Sequence, residues 1–291
     1  MVQDKELAKA VAGIPQRSEK QGDTQKLVEA FVDPGILPQV DSINSQIIYG
    51  RRGTGKTHVL RVFESSLKGR NRTCVVYIDA RTFGSTEQFT DVNVALPSRC
   101  TSLFRDLLGE VYNGLLNFVV QQEGPDVDRA LEEVNRLGVA AVEPVEATRK
   151  ESSAEKKSSQ VSSRSGIDLK ISPVGPTLGG SLADEQTQAA EASATYRFEY
   201  SDKVIFPSVS GPLKTILGIY GAQLYVLLDE WSSLPLDVQP YLAEFIKRSF
   251  LPVPDVAVKI ASLEYRSNFG VTTPSSPWCN GPDLGMAVGV G

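Results

Sequence analysis

The chain has one histidine, His58, in 291 residues. That imidazole sits just after a glycine-rich stretch, so the sequence offers neither a multi-histidine metal site nor a histidine-based nucleophile triad. Cysteine is also scarce. Cys74, Cys100 and Cys279 are an odd set without metal-ligand spacing. They exclude a disulfide framework and suit a reducing cytosol, so the expected location is cytoplasmic. Long apolar runs are missing: no stretch reaches the roughly 18 residues of a membrane-spanning helix, so no membrane contact is expected. The first residues, with Asp4, Lys5 and Glu6, lack the apolar core of a signal peptide. A large charge of one sign is lacking too. The net charge is −5, which gives no overall attraction to nucleic acid or to an anionic membrane. The apolar share, 41%, and the charged share, 22%, are ordinary for a globular protein, and the length allows a sizeable core.

What is present is concentrated in Gly50-Arg51-Arg52-Gly53-Thr54-Gly55-Lys56-Thr57. This is the P-loop spacing: Gly, four residues, Gly, Lys, then Ser or Thr. Residues 46–49, Gln-Ile-Ile-Tyr, read as a buried strand before it. Residues 58–64 read as a helix after it, with Val59, Leu60, Val62 and Phe63 on the buried face. Strand, glycine turn and helix together aim backbone N–H groups and a helix N-terminus at phosphate. The nucleotide-binding candidates are therefore Gly50, Arg51, Arg52, Gly53, Thr54, Gly55, Lys56, Thr57 and His58. Gly53 and Gly55 permit close backbone approach. Lys56 suits the β- and γ-phosphates. The Thr57 hydroxyl suits Mg²⁺, which takes few protein ligands.

A second signal lies far downstream. Leu224-Tyr225-Val226-Leu227-Leu228 is an apolar run ending in Asp229 and Glu230. It reads as a central parallel strand buried on both faces. Ligands of open α/β sheets bind beyond the carboxyl ends of the strands, which is where these carboxylates fall. Asp229 is the metal candidate beside Thr57, and Glu230 is the candidate general base.

With both motifs in hand, the chain resembles the AAA+ ATPases. More closely, FVDPGILPQVDSINSQIIYGRRGTGKTHVL and LYVLLDEWSSLP resemble bacterial ATPases of the ORC/Cdc6-like group. The likeness spans roughly residues 25–120 and 196–270. It implies an α/β, three-layer P-loop NTPase fold with a parallel central sheet, ATP and Mg²⁺ as cofactors, and a conformational change on hydrolysis. It implies DNA or a partner protein as target, and a possible homo-oligomer. Adenine contacts would lie between Asp33-Pro34-Gly35 and the P-loop. A polar sensor residue would end the strand at residues 256–262, where Ser262 stands in place of the family's usual Asn and Glu264 is the alternative. Arg81, Arg248 and Arg266 are candidates for sensing nucleotide or completing a neighbour's site. The catalytic set is Glu230, Lys56 and Ser262.

The remaining sequence sets the organisation. Residues 1–22 read as a polar leader, with a short helix near 5–11, and Asp23 or Thr24 as the cap of another helix. The ATPase core is assigned to 23–145 and 196–270. Residues 73–79 read as a strand; 102–122, 126–137, 209–220 and 238–249 read as helices. Residues 146–195 are rich in Ser, Lys, Gln, Gly and Ala, and are expected to be a disordered or flexible insertion. Residues 271–291 read as an irregular or incomplete C-terminal segment ending on a cut strand. The family's helical lid and winged helix have no counterpart, so a truncated member is expected. Two alternatives remain: a STAND-like signalling switch with slow turnover, and a non-catalytic nucleotide-binding remnant.

Overall fold

The computed structural model describes residues 28–33, 35–82, 84, 94–142, 145–151, 196–201, 204–270 and 287–290. The leader, the short helix near 5–11, the cap at Asp23 or Thr24 and most of the 146–195 insertion lie outside the described residues. The chain divides into two compact units, residues 1–143 with 204–291, and residues 144–203.

The larger unit is built on a parallel sheet. Its strands are β1 (Gln46–Gly50), β2 (Thr73–Asp79), β5 (Gln223–Asp229), β6 (Val256–Ser262) and β7 (Ala287–Val290), in the order β2-β5-β6-β1-β7. β3 (Val145–Glu151) and β4 (Tyr196–Ser201) belong to the smaller unit, where they pair antiparallel with a register irregularity between Ala147 and Lys150. Alternating aromatics in Tyr196-Arg197-Phe198-Glu199-Tyr200 supply the strand signal. Residues 196–201 fall within the smaller unit.

The helices of the larger unit are α1 (Leu37–Val40), α2 (Lys56–Lys68), α3 (Leu96–Val120), α4 (Val127–Val142), α5 (Phe206–Tyr220) and α6 (Gln239–Phe250). β5 is buried along nearly its whole length, so it is hydrophobic at every position from Leu224 to Leu228. Its alternate residues feed two cores. Leu224, Val226 and Leu228 pack with Cys74, Val76, Ile78, Val258 and Ile260 beneath α3, α5 and α6. Tyr225 and Leu227 pack on the other face with Ile48, Val59, Leu60, Phe63 and Leu67. Helices thus cover both faces, the three-layer α/β arrangement of a P-loop NTPase. β2, at the sheet edge, alternates buried and half-buried residues instead.

Helix boundaries differ from expectation. α3 starts at Leu96, six positions earlier than the sequence pattern suggested; Pro97 in its first turn is the start signal, since proline there gives up no helical hydrogen bond. α4 runs on to Val142, past the expected end at 137. Ala287–Val290, where the sequence ends on what reads as a cut strand, is a strand paired with β1.

Candidate functional site

Because the sheet of the larger unit is parallel, β1, β2, β5 and β6 all present their carboxyl ends at one edge. Register brings Tyr49 beside Ser262 and Asp79 beside Asp229. The residues singled out in the sequence therefore converge although they are far apart along the chain.

The loop after β1 is shaped by its glycines. Gly53 has φ +88° and Gly55 has φ +85°, both in the left-handed region. Nothing lies within 4 Å of a Cβ built on Gly53, so conformation rather than space demands glycine there. Gly55 is the N-cap of α2, and no side chain caps the helix. The positive end of the α2 dipole thus opens on this loop. Thr54 turns back on Arg51, its hydroxyl donating to the Arg51 carbonyl at 3.0 Å. The Lys56 ammonium donates to the carbonyls of Gly50 and Arg51, each at 2.9 Å. Burial lowers the Lys56 pKa, and the charges of Glu230 and Asp229 oppose that shift. The lysine therefore lies within electrostatic reach of both carboxylates. Arg51, Arg52 and Gly53 are exposed, whereas Thr54, Gly55, Lys56, Thr57 and His58 are half-buried. The His58 ring meets Phe31 edge to face at 5.0 Å.

Asp229 is 1% exposed and is held on all sides. Its Oδ1 accepts from the Glu230 N–H at 2.8 Å and its Oδ2 from the Tyr77 hydroxyl at 2.6 Å. Its backbone carbonyl accepts from Ala80 N–H at 3.0 Å. Both donors to the carboxylate are neutral. A buried carboxylate met only by neutral donors is an arrangement a divalent cation completes. Among the described residues no cluster of three His, Cys, Asp or Glu forms a protein-only metal cage. Mg²⁺ needs none, since it keeps most of its waters and takes one or two protein ligands.

Glu230 follows with φ +54°, a left-handed conformation rare outside glycine. Such backbone is held only where surrounding contacts over-determine it. Here the Asp229 carboxylate takes the Glu230 N–H, and the Glu230 carbonyl accepts from Ser233 N–H at 2.8 Å as the 3₁₀ turn Trp231–Ser233 begins.

Ser262 is buried at the end of β6, and its hydroxyl is bonded to that of Ser267. Glu264 lies in the next turn, where its charge and burial push the Tyr49 phenol up; burial is the larger cause. Arg81 pairs with Asp79 at the end of β2. Burial alone would raise the Asp79 carboxyl, but the hydrogen bonds from Arg81 hold it below the usual range. Arg248 pairs with Glu244 at 2.6 Å in the last turn of α6, while Arg266 lies in the turn after β6.

Two residues escaped the sequence reading. Tyr77 reaches Asp229 across the strand pair, with the Arg61 guanidinium 3.3 Å from its ring centroid. Gln239 is fully buried at the start of α6. Its amide donates to the carbonyls of Leu234 at 2.9 Å and Arg266 at 3.3 Å, and accepts from Asn268 N–H at 2.7 Å. It ties the loop after β5 to the loop after β6. A tyrosine near the end of a strand and a glutamine just before the proline of a helix's first turn are visible in sequence, but their partners are not.

The parallel sheet, the helices on both faces and the glycine-rich strand-to-helix loop define a P-loop NTPase fold. The ORC-CDC6-like family model matches residues 17–73, a segment that runs through β1, the glycine loop and α2. Among solved structures, Cdc6p from Pyrobaculum aerophilum is similar at 14% identity, with a TM-score of 0.34. The alignment covers 83% of this chain and 43% of that one, so the chain spans less than half the length of that Cdc6. No curated protein matches in sequence. Among the described residues no helix is long and apolar enough to cross a membrane.

Proposed function

We propose that the chain binds Mg·ATP at the loop Gly50–Thr57 and hydrolyses it, coupling nucleotide state to a conformational change on DNA or a protein partner. The observation that carries this reading is the glycine loop, whose Gly53 and Gly55 take left-handed backbone and which opens on the uncapped N-terminus of α2 at the sheet edge where β5 ends in Asp229. Lys56 would leave the carbonyls of Gly50 and Arg51 for the β- and γ-phosphates, and the loop's N–H groups would cradle those phosphates. Thr57 and Asp229 would hold Mg²⁺, which supplies charge neutralisation of the phosphates. Glu230 would orient the attacking water and take its proton. Ser262 is the candidate for holding that water against the γ-phosphate, once its hydroxyl turns from Ser267. Arg248 and Arg266 are the candidate arginines for a neighbouring subunit's site.

A nucleotide-holding switch with slow turnover is the second reading. It is favoured by the Ser262 hydroxyl, which is already engaged by Ser267. Both readings share the binding step. Lys56→Ala is expected to abolish Mg·ATP binding in fluorescent-nucleotide titration, with a thermal melt within a few degrees of wild type. Undiminished affinity in the folded variant would remove the P-loop assignment.

A further inference from the structure

The geometry points to Tyr77 as a positioning residue for the metal: its hydroxyl fixes the Asp229 carboxylate in the orientation that binds Mg²⁺, and Arg61 holds the phenol in place. This inference rests on the proposed role of Asp229. Tyr77 and Asp229 lie on the same face of adjacent strands, two residues apart in register, since Tyr77 is level with Leu227 and Asp79 with Asp229. Side chains on this diagonal are within reach of each other when one is long and aromatic. The 2.6 Å hydrogen bond occupies one lone pair of Oδ2, and the Glu230 N–H occupies one on Oδ1. With both oxygens held, the carboxylate has one orientation left.

The phenol is itself constrained. The Arg61 guanidinium stacks on its ring at 3.3 Å, and Arg61 is anchored by an ion pair to Glu64 at 2.9 Å. Glu64 is buried and also takes Lys68 at 2.7 Å. Arg61 lies one helical turn after Thr57 on α2. The helix that carries Thr57 thus also carries the arginine that packs on Tyr77. Partners behind a metal ligand of this kind tune affinity by about 10- to 100-fold.

Tyr77→Phe keeps the ring under Arg61 and removes only the hydroxyl, so folding should persist. The experiment titrates Mg²⁺ against protein with a fixed concentration of a fluorescent, non-hydrolysable ATP analogue. It also measures analogue affinity in EDTA. Tyr77→Phe should raise the Mg²⁺ half-saturation by about 10-fold or more, with affinity in EDTA unchanged. A purely structural role would move the melting temperature and leave the Mg²⁺ half-saturation alone. Asp229→Asn is the reference variant. If it raises the Mg²⁺ requirement and Tyr77→Phe does not, the inference about Tyr77 fails and the site assignment stands. If neither variant changes the Mg²⁺ requirement, the metal role of Asp229 fails, and the inference fails with it. In the double variant, an effect no larger than that of Asp229→Asn alone would confirm that Tyr77 acts through Asp229.

Discussion

Lys259 shows how much a single residue can depart from its strand. It sits in an otherwise apolar strand and is fully buried. Its ammonium donates to the Asn44 carbonyl at 2.7 Å, the Ser42 hydroxyl at 3.3 Å and the Gln46 side-chain oxygen. Burial pushes its pKa down to about 7, against the pull of nearby Asp41, which is itself paired with Arg70. An unfolded lysine titrates near 10.4. Between those values the unfolded chain holds a proton the folded chain has released, so this residue makes stability rise with pH from about 7 upward. Urea midpoints at pH 7, 8 and 9 should therefore climb more steeply in wild type than in Lys259→Met. Parallel curves would show that Lys259 stays charged in the fold. The local pattern of the glycine loop was legible in sequence because every residue in it answers to a local conformational or chemical demand. The Tyr77–Asp229 bond joins residues 152 positions apart, and only strand register reveals it.

Among the elements, α3 shows close packing and open surface on one helix. Gly114 faces β2, and a Cβ there would lie 2.4 Å from Cγ2 of Val76, too close to fit. Gly109 has nothing within 4 Å of its Cβ position. Alanine relieves glycine's entropic cost in a helix, worth about 1 kcal/mol. At Gly114 overpacking, about 1–3 kcal/mol, outweighs that gain. Gly109→Ala should thus stabilise the protein by about 0.5–1 kcal/mol in chemical denaturation, and Gly114→Ala should destabilise it. Equal effects would mean that α3 does not pack on β2 in this register. Strands were the most legible elements. β2 falls at the residues its β-branched run marked out, and β5 and β6 deviate by one residue at most. Helix starts were less so, because Pro97 looks like a breaker until its place in the first turn is seen.

At the scale of the molecule, the parallel order β2-β5-β6-β1-β7 does the work that sequence distance conceals. The chain leaves β1 for the sheet edge at β2 and returns through β5 and β6 to pair with β1 again. That path sets Asp229, Glu230 and Ser262 at the same edge as the glycine loop. The order could not be read from the sequence, since loop closure costs rise only slowly with length and many orders are compatible with the same strands. The central claim is that this edge performs hydrolysis, with Glu230 as the base. Single-turnover hydrolysis of bound ATP by wild type and Glu230→Gln tests it most directly. Glutamine keeps the size of the side chain and removes its basicity, so ATP should bind as in wild type while hydrolysis slows by about 10² to 10⁴. Equal rates in the two proteins, above the uncatalysed background, would contradict the account.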